Sequence, residues 1–348
     1  MKPTALPRQA TVPAIGGELK VEVEDFVVEE LPAYEPGGEG PHHYLWVEKR
    51  DVDGRTLVQE VARYFGVEPR HIGTAGVKDR RAVTRQWVSA PAQLTDVEPE
   101  PKEIAEGVEV LEVSRHTNKL RTGHLRGNRF DLRIRETELQ GEALREAMEG
   151  VEESLQDQGL ANFYGMQRFG HGGSTLAKGL AWLEEGRAPS GRFLRRMSAS
   201  AVQSEIFNRM LMKRLEDGSW KQVCLGDIFE KVDTGGRFWI SEEEEEETQA
   251  RLDGREIVVT GPMPGSEGGF ARQEVGQRER ELVEAMGIEV ESLESFGAQG
   301  KGTRRPMTVY LDDLEWSVSA DDVVELAFSL PSGSYATVVL KEFMGDKG

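Results

Sequence analysis

The sequence predicts an α+β protein with a mixed or largely antiparallel central sheet, into which a second α+β domain is inserted. Three observations predict it. Seven strand-like segments occupy the two ends of the chain, and the helical patterns between them fall irregularly, without βαβ alternation. The length of 348 residues fits two domains at the usual scale of about 150 residues each. Composition breaks near 186 and again near 306, and the strongly acidic stretch lies between. The expected division is a discontinuous domain of 1–186 with 307–348, and an insertion of 187–306.

Residues 1–16 are rich in Pro and Ala and are expected to be poorly ordered. Asp25 to Leu31 and Tyr44 to Lys49 read as strands, separated by the turn-forming run Pro36-Gly-Gly-Glu-Gly-Pro41. Thr56 is the expected cap of a helix carrying Leu57, Val61 and Phe65 on one face. Gln86 to Ala90 and Val108 to Val113 follow as strands. Phe130, Leu132 and Ile134 then alternate with Arg129, Asp131, Arg133 and Arg135, a strand with one buried and one charged face. That charged face leans toward RNA contact, because Lys119, Arg121 and Arg126 lead into it. Leu144, Met148, Val151 and Leu155 mark a helix. Asn162 to Gly173 is a glycine- and aromatic-rich segment, either a tight turn or a pocket wall.

Arg187 to Met197 is basic, and Val202, Ile206, Met210 and Leu211 mark another helix. Glu242 to Glu247 suit the exposed first turns of a short helix, where acidic residues match the helix dipole. Ile257 to Thr260 is strand-like. Gly297 to Thr303 lacks the glycine and hydroxyl spacing of a phosphate loop and reads as a flexible basic loop. Met307 to Leu311 and Val323 to Phe328 are the last strands, before a helix with Ser334 as its expected cap.

Composition narrows the function class. No apolar run of about 18 residues is present to span a membrane. The first 20 residues lack a secretory apolar core. The single cysteine, Cys224, excludes an intramolecular disulfide and fits a reducing cytoplasm. The six histidines show no metal-ligand spacing, so no metal is expected. The net charge of −19 is unevenly spread. Glu216 to Ser295 holds 21 acidic and 8 basic residues, whereas Val113 to Arg135 holds seven basic residues and one acidic. Local patches, rather than the total, decide where a polyanion docks.

The most informative run is Ala75-Gly-Val-Lys78-Asp79-Arg80-Arg81-Ala-Val-Thr84-Arg85-Gln86. Its one carboxylate, Asp79, is framed by Lys78, Arg80, Arg81 and Arg85, and nearby positive charge favours the ionised form. Two readings stand on these residues alone. One is an enzyme that acts on a polyanion with Asp as nucleophile or base; the other is a solvated basic loop with a salt-bridged Asp.

That run resembles the catalytic loop of the TruD family of tRNA pseudouridine synthases. Four further segments agree in order: Lys20 through Glu24-Asp-Phe26-Val-Val, Arg115 through Gly127-Asn-Arg-Phe, Asn162-Phe-Tyr-Gly-Met-Gln-Arg-Phe-Gly, and Leu330-Pro-Ser-Gly-Ser-Tyr335-Ala-Thr. The resemblance spans about residues 20 to 344. It implies a permuted pseudouridine synthase sheet with an inserted domain, and isomerisation of uridine to pseudouridine in tRNA at position 13. It implies no cofactor and no metal. It implies that Asp79 is catalytic, by attack or by deprotonating the sugar, with Lys20 as its basic partner. Phe26 and Tyr335 resemble aromatics near the flipped base, and Asn162 the polar residue that orients it. Tyr164 and Tyr335 depart from the family's commoner Phe; the Tyr164 phenol is expected either to hydrogen-bond Asp79 or the base, or only to pack. Lys78, Arg80, Lys119, Arg121 and Arg126 are the expected RNA contacts. The oligomeric state is left open, with a monomer expected. The alternative is a catalytically inactive RNA-binding protein of the same fold.

Overall fold

Alternating apolar and polar residues build the largest element, a ten-stranded sheet. The computed structural model describes residues 1–347. In chain order the strands are β1 (Glu18–Leu19), β2 (Phe26–Pro32), β3 (His42–Arg50), β4 (Gly73–Thr74), β5 (Val83–Pro91), β6 (Lys102–Ala105), β7 (Val108–His116) and β8 (Leu125–Arg135). The chain continues with β9 (Leu160–Ala161), β10 (Phe229–Lys231), β11 (Arg237–Phe238), β12 (Ile257–Met263), β13 (Thr303–Pro306) and β14 (Thr308–Val309). It ends with β15 (Glu315–Val318) and β16 (Val324–Pro331). The α-helices are α1 (Gly54–Phe65), α2 (Gly141–Gln158), α3 (Ser174–Glu185), α4 (Arg192–Glu216), α5 (Glu245–Asp253), α6 (Gln273–Ala285) and α7 (Ala336–Met344).

Two compact units divide the chain. The sheet unit comprises Ala10–Gln158 with 311–347, and the smaller unit Met1–Gln9 with Gly159–Tyr310. The division falls at 158/159 and 310/311, whereas composition pointed to 186 and 306. Segment 159–186 packs with the smaller unit because β9 pairs with β14 and α3 lies on α4. Gly179 permits that helix contact: a Cβ there would sit 2.5 Å from the Ser198 carbonyl oxygen.

In the sheet unit the strand order is β15-β16-β8-β2-β5-β3-β7-β6, with β1 on β8 and β4 on β5. Among the described residues only the β2–β5 pairing is parallel and the rest are antiparallel, so the sheet is mixed. The register aligns Lys49, Thr84, Val28, Phe130 and Phe328 in one row across five strands. Period two therefore puts Phe26, Glu30, Asn128 and Leu132 on that same face. Over β3 and β5 the face is covered by α1, whose Leu57, Val61 and Phe65 pack against Leu45, Val47, Val88 and Val110. Asp53 caps α1 and accepts from the Arg55 and Thr56 amides. The expected cap, Thr56, lies inside the helix and donates its hydroxyl to Asp53.

The opposite face is polar, and its charges are paired. Arg129 lies beside Asp131, Asp313 and Glu315, Arg133 beside Glu325, and Arg85 beside Glu29 and Glu48. Arg135 makes a bidentate pair with the fully buried Asp25. Burial alone would raise the Asp25 carboxyl; the Arg135 and Glu22 hydrogen bonds overcome it and hold the group below the usual carboxylate range. The arginine face of β8 is thus neutralised by neighbouring strands, contrary to the expected lean toward RNA.

The N-terminal segment is ordered, also against expectation. Ile15 is fully buried and its amide donates to Phe343, while Ala10 donates to the buried Glu342. In the smaller unit Thr4 donates to the buried Glu205. Buried carboxylates give these amides and hydroxyls the partners that loops usually take from water. Around 297–303 the backbone is likewise fixed, by Ser266 N–H to Gly300 and Glu267 N–H to Lys301.

The smaller unit holds a four-stranded sheet, β11-β10-β12-β13. The expected strand at 307–311 is broken, because the chain leaves β13 at Pro306 and pairs with β9 only from Thr308. Two buried bidentate ion pairs brace this unit: Arg214 with Asp227, and Arg304 with Glu279. Glu242–Glu244 form a 3-10 turn that runs into α5, with Ser241 and Glu244 as a capping box.

Candidate active site

Asp79 lies in the segment between β4 and β5, which turns back to the sheet through Asp51 N–H to Ala82 and Gly123 N–H to Ala75. Its side chain is 56% exposed and pairs with Lys20, Oδ2 to Nζ 3.1 Å. Lys20 comes from the turn between β1 and β2 and has φ +58°, a left-handed conformation uncommon outside glycine. That backbone aims its ammonium both at Asp79 and at the Phe26 ring, whose centroid is 3.8 Å away. Among the described residues, Asp79 Oδ1 carries no protein hydrogen bond.

Beneath the loop stand two buried lysines. Lys49, fully buried on β3, donates to the Asp79 main-chain carbonyl. Burial pulls its ammonium down to about 8, against the opposing pull of the Asp79 charge. Lys78 turns inward, with its side chain only 5% exposed. It donates to Asn128 Oδ1 on β8 and lies 3.5 Å from Glu30 Oε2 on β2. Glu30 accepts in turn from the Trp87 amide. Burial pushes the Glu30 carboxyl up and the Lys78 ammonium down. Lys78 is therefore a strut that ties the loop to β2 and β8, not the phosphate contact expected from its place beside Asp79.

The other expected residues separate clearly. Phe26 is buried, edge-on to Phe130, and presents a ring face to Lys20. Arg80 is exposed, 3.7 Å from Asp51. Arg121 and Arg126 are exposed, whereas Lys119 donates to the Arg70 carbonyl. Burial, with Arg121 nearby, lowers the Lys119 ammonium. Tyr335 is half-buried and itself occupies the cap position of α7, one residue after the expected Ser334.

Asn162 and Tyr164 belong to the smaller unit. The Asn162 amide donates to the Pro306 carbonyl and accepts from Arg305 at 2.6 Å. The same Arg305 stacks 4.1 Å from the Tyr164 ring centroid, and the phenol donates to Met263 Sδ.

Sequence reasoning missed Lys49, Glu30, Asn128 and Arg305. Lys49, Glu30 and Asn128 sit in strands, and only the register shows that they share the Asp79 side of the sheet. Among the described residues no group of three or more His, Cys, Asp or Glu could hold a metal ion. Nor, among the described residues, is any helix long and apolar enough to cross a membrane.

Comparison with known proteins identifies the family. The family described as tRNA pseudouridine synthase D (TruD) matches residues 8–182 and 191–343. The tRNA pseudouridine synthase D of Anaeromyxobacter dehalogenans is 44% identical over 341 residues, covering 96% of this chain and 94% of that protein. The tRNA pseudouridine synthase D of Thermus thermophilus is 40% identical over 334 residues, covering 96% of this chain and 90% of that protein. A crystal structure described as TruD from Methanosarcina mazei has the same fold, with TM-score 0.78 at 24% identity over 97% of this chain and 95% of that one.

Proposed function

The chain belongs to the TruD family of tRNA pseudouridine synthases, and from that premise we propose how its residues carry the reaction. It converts uridine to pseudouridine in tRNA. We take uridine 13 as the target. The N1–C1′ bond breaks, the uracil turns, and C5 bonds to C1′. C5 loses a proton and N1 gains one, so the product is an isomer.

Asp79 is the catalytic residue in this reading. Oδ2 is engaged by Lys20, and Oδ1 faces the sugar, either to attack C1′ or to remove the 2′ hydrogen. Both routes use the same oxygen. Lys20 offsets the carboxylate charge, and Phe26 holds Lys20 in place as a positioning residue. Tyr335 lies beside the flipped uracil, and Asn162 orients it. Tyr164 acts through Arg305, which it shares with Asn162. Arg80, Arg121 and Arg126 supply phosphate contacts. The chain works in the cytoplasm as a monomer, without metal or organic cofactor.

The observation that carries this reading is the 3.1 Å Lys20–Asp79 ion pair. A carboxylate held by one oxygen and open at the other suits chemistry better than structural support. The catalytically inactive RNA-binding alternative is not favoured, since a binder gains nothing from a carboxylate turned toward phosphates. The test is Asp79→Asn, with nucleosides from digested tRNA separated and counted. Pseudouridine should vanish while tRNA affinity stays within a few-fold of wild type. A variant as active as wild type would remove Asp79 from the mechanism.

A further inference from the structure

We propose that the α3–α4 connection and the first turns of α4 form a second tRNA-contact surface, in which Phe193 stacks on an unpaired base and Arg187, Arg192, Arg195 and Arg196 hold the flanking phosphates. The inference rests on tRNA being the substrate and adds a binding surface to that reading.

Phe193 is 78% exposed, an unusual setting for a large aromatic in a chain that buries most of its rings. Arg187 to Met197 contains four arginines and no carboxylate, in a chain of net charge −19. All four arginines are exposed. Among the described residues none of the four has a carboxylate within 4.0 Å, and of their guanidinium groups only that of Arg195 makes a hydrogen bond, to the Pro189 carbonyl. Glu184 and Glu185 close α3 just before the run, yet neither pairs with it. Many arginines elsewhere are neutralised, as on β8 and at Arg214 and Arg304. With 62 acidic residues against 43 basic, guanidinium groups left unpaired are available to an external anion.

The helix sets the geometry. At 3.6 residues per turn Arg196 falls between Arg192 and Phe193 in angle, so the three form one stripe. Arg195 flanks it on the Arg192 side. Guanidinium groups beside a solvent-facing ring match the recurring chemistry of single-stranded nucleic-acid binding: stacking on the ring and phosphate contact from arginine. A lone aromatic on a helix whose neighbouring turns are buried offers too little apolar surface to enter a lipid bilayer. The family match covers residues 8–182 and 191–343, so Arg192, Phe193, Arg195 and Arg196 lie within it and Arg187 outside it.

Affinity for the tRNA substrate is measured across a salt series for wild type, Phe193→Ala, Phe193→Tyr and Arg192→Ala/Arg196→Ala, with pseudouridine formation by wild type followed in parallel. Phe193→Ala should weaken binding by roughly five- to a hundredfold, with Phe193→Tyr restoring it. The double arginine variant should flatten the salt dependence by about 0.7 to 0.9 in log–log slope per phosphate lost. Wild-type affinity and slope in Phe193→Ala and in the double variant would overturn the proposal. The two readings separate because each has its own readout. A wild-type chain that forms pseudouridine while the variants bind normally loses only this surface; one that forms none loses the proposed function, whatever the variants bind.

Discussion

Lys49 Nζ donates to the main-chain carbonyl of Asp79, so the catalytic candidate is gripped at two levels. Lys20 engages its carboxylate at the rim, and Lys49 engages its backbone from a fully buried position on β3. One cation deals with charge and the other with place.

Removing the lower grip should uncouple placement from binding. Lys49→Met is expected to cut kcat by about 10- to 100-fold, because small misplacements of a reacting group carry penalties of that size. Affinity for tRNA should change much less. Single-turnover kinetics beside a binding titration separate the two. Unaltered kcat would show that the loop keeps its shape unaided.

The same lysine makes stability depend on pH with a definite sign. Its folded pKa, about 8, lies below the usual 10.5. Between these values the unfolded chain holds the proton and the folded chain does not, so this group's contribution to stability rises with pH. Below about pH 8 the buried charge exerts its full penalty, and above 10.5 it exerts none. Urea titrations at pH 7 and 9.5 should show wild type gaining on Lys49→Met, by no more than about 1.4 kcal/mol per pH unit. Wild type losing ground over that interval would contradict the assignment.

Lys20 combines charge with an unusual backbone, and two substitutions part them. Lys20→Met keeps a side chain in the left-handed conformation but removes the ammonium; Lys20→Gly relaxes φ as well. Both should lower kcat by roughly 10- to 1000-fold, the range for losing one preorganised electrostatic partner. Lys20→Gly should also melt no lower than Lys20→Met, since glycine suits φ +58°. A charge-free variant with full turnover would show that Asp79 needs no cation.

In the smaller unit the Arg214–Asp227 pair is buried and bidentate, at 2.6 and 3.0 Å. Asp227→Ala leaves a guanidinium without its counter-charge and should destabilise by about 3–5 kcal/mol. Replacing both residues with apolar side chains should recover much of the loss. A denaturation midpoint that barely moves in Asp227→Ala would mean that Ser219 and Gln222, which also accept from Arg214, suffice.

Local pattern made much of the fold legible. Phe130, Leu132 and Ile134 announced β8 by alternation, and Leu57, Val61 and Phe65 announced α1 by spacing. The cap of α1 was misread because Asp53 and Thr56 are both good cap residues, and the tertiary path chose the earlier one. The Asp79 loop was legible because its chemistry is written in consecutive residues. Its supports were not. Lys78 is adjacent to Asp79, yet its side chain runs to Glu30 and Asn128 while Asp79 stays at the rim. Lys49 looks like any strand residue until the register sets it opposite Thr84. The N-terminal segment was misjudged because its partners, Glu205 and Glu342, lie hundreds of residues away. Gly127 shows the reverse case: it stands in a recognisable motif, but its reason is a backbone approach in which a Cβ would meet the Leu330 oxygen at 2.1 Å.

The cancelled charges on the outer face of β8, β15 and β16 make that wall electrically quiet. A polyanion gains little by settling there, so a dye or affinity handle anchored at the exposed Ser317 would report on the chain without competing for its ligand. By pairing with Arg129 and Arg133, the carboxylates of this face take those guanidinium groups out of competition for RNA.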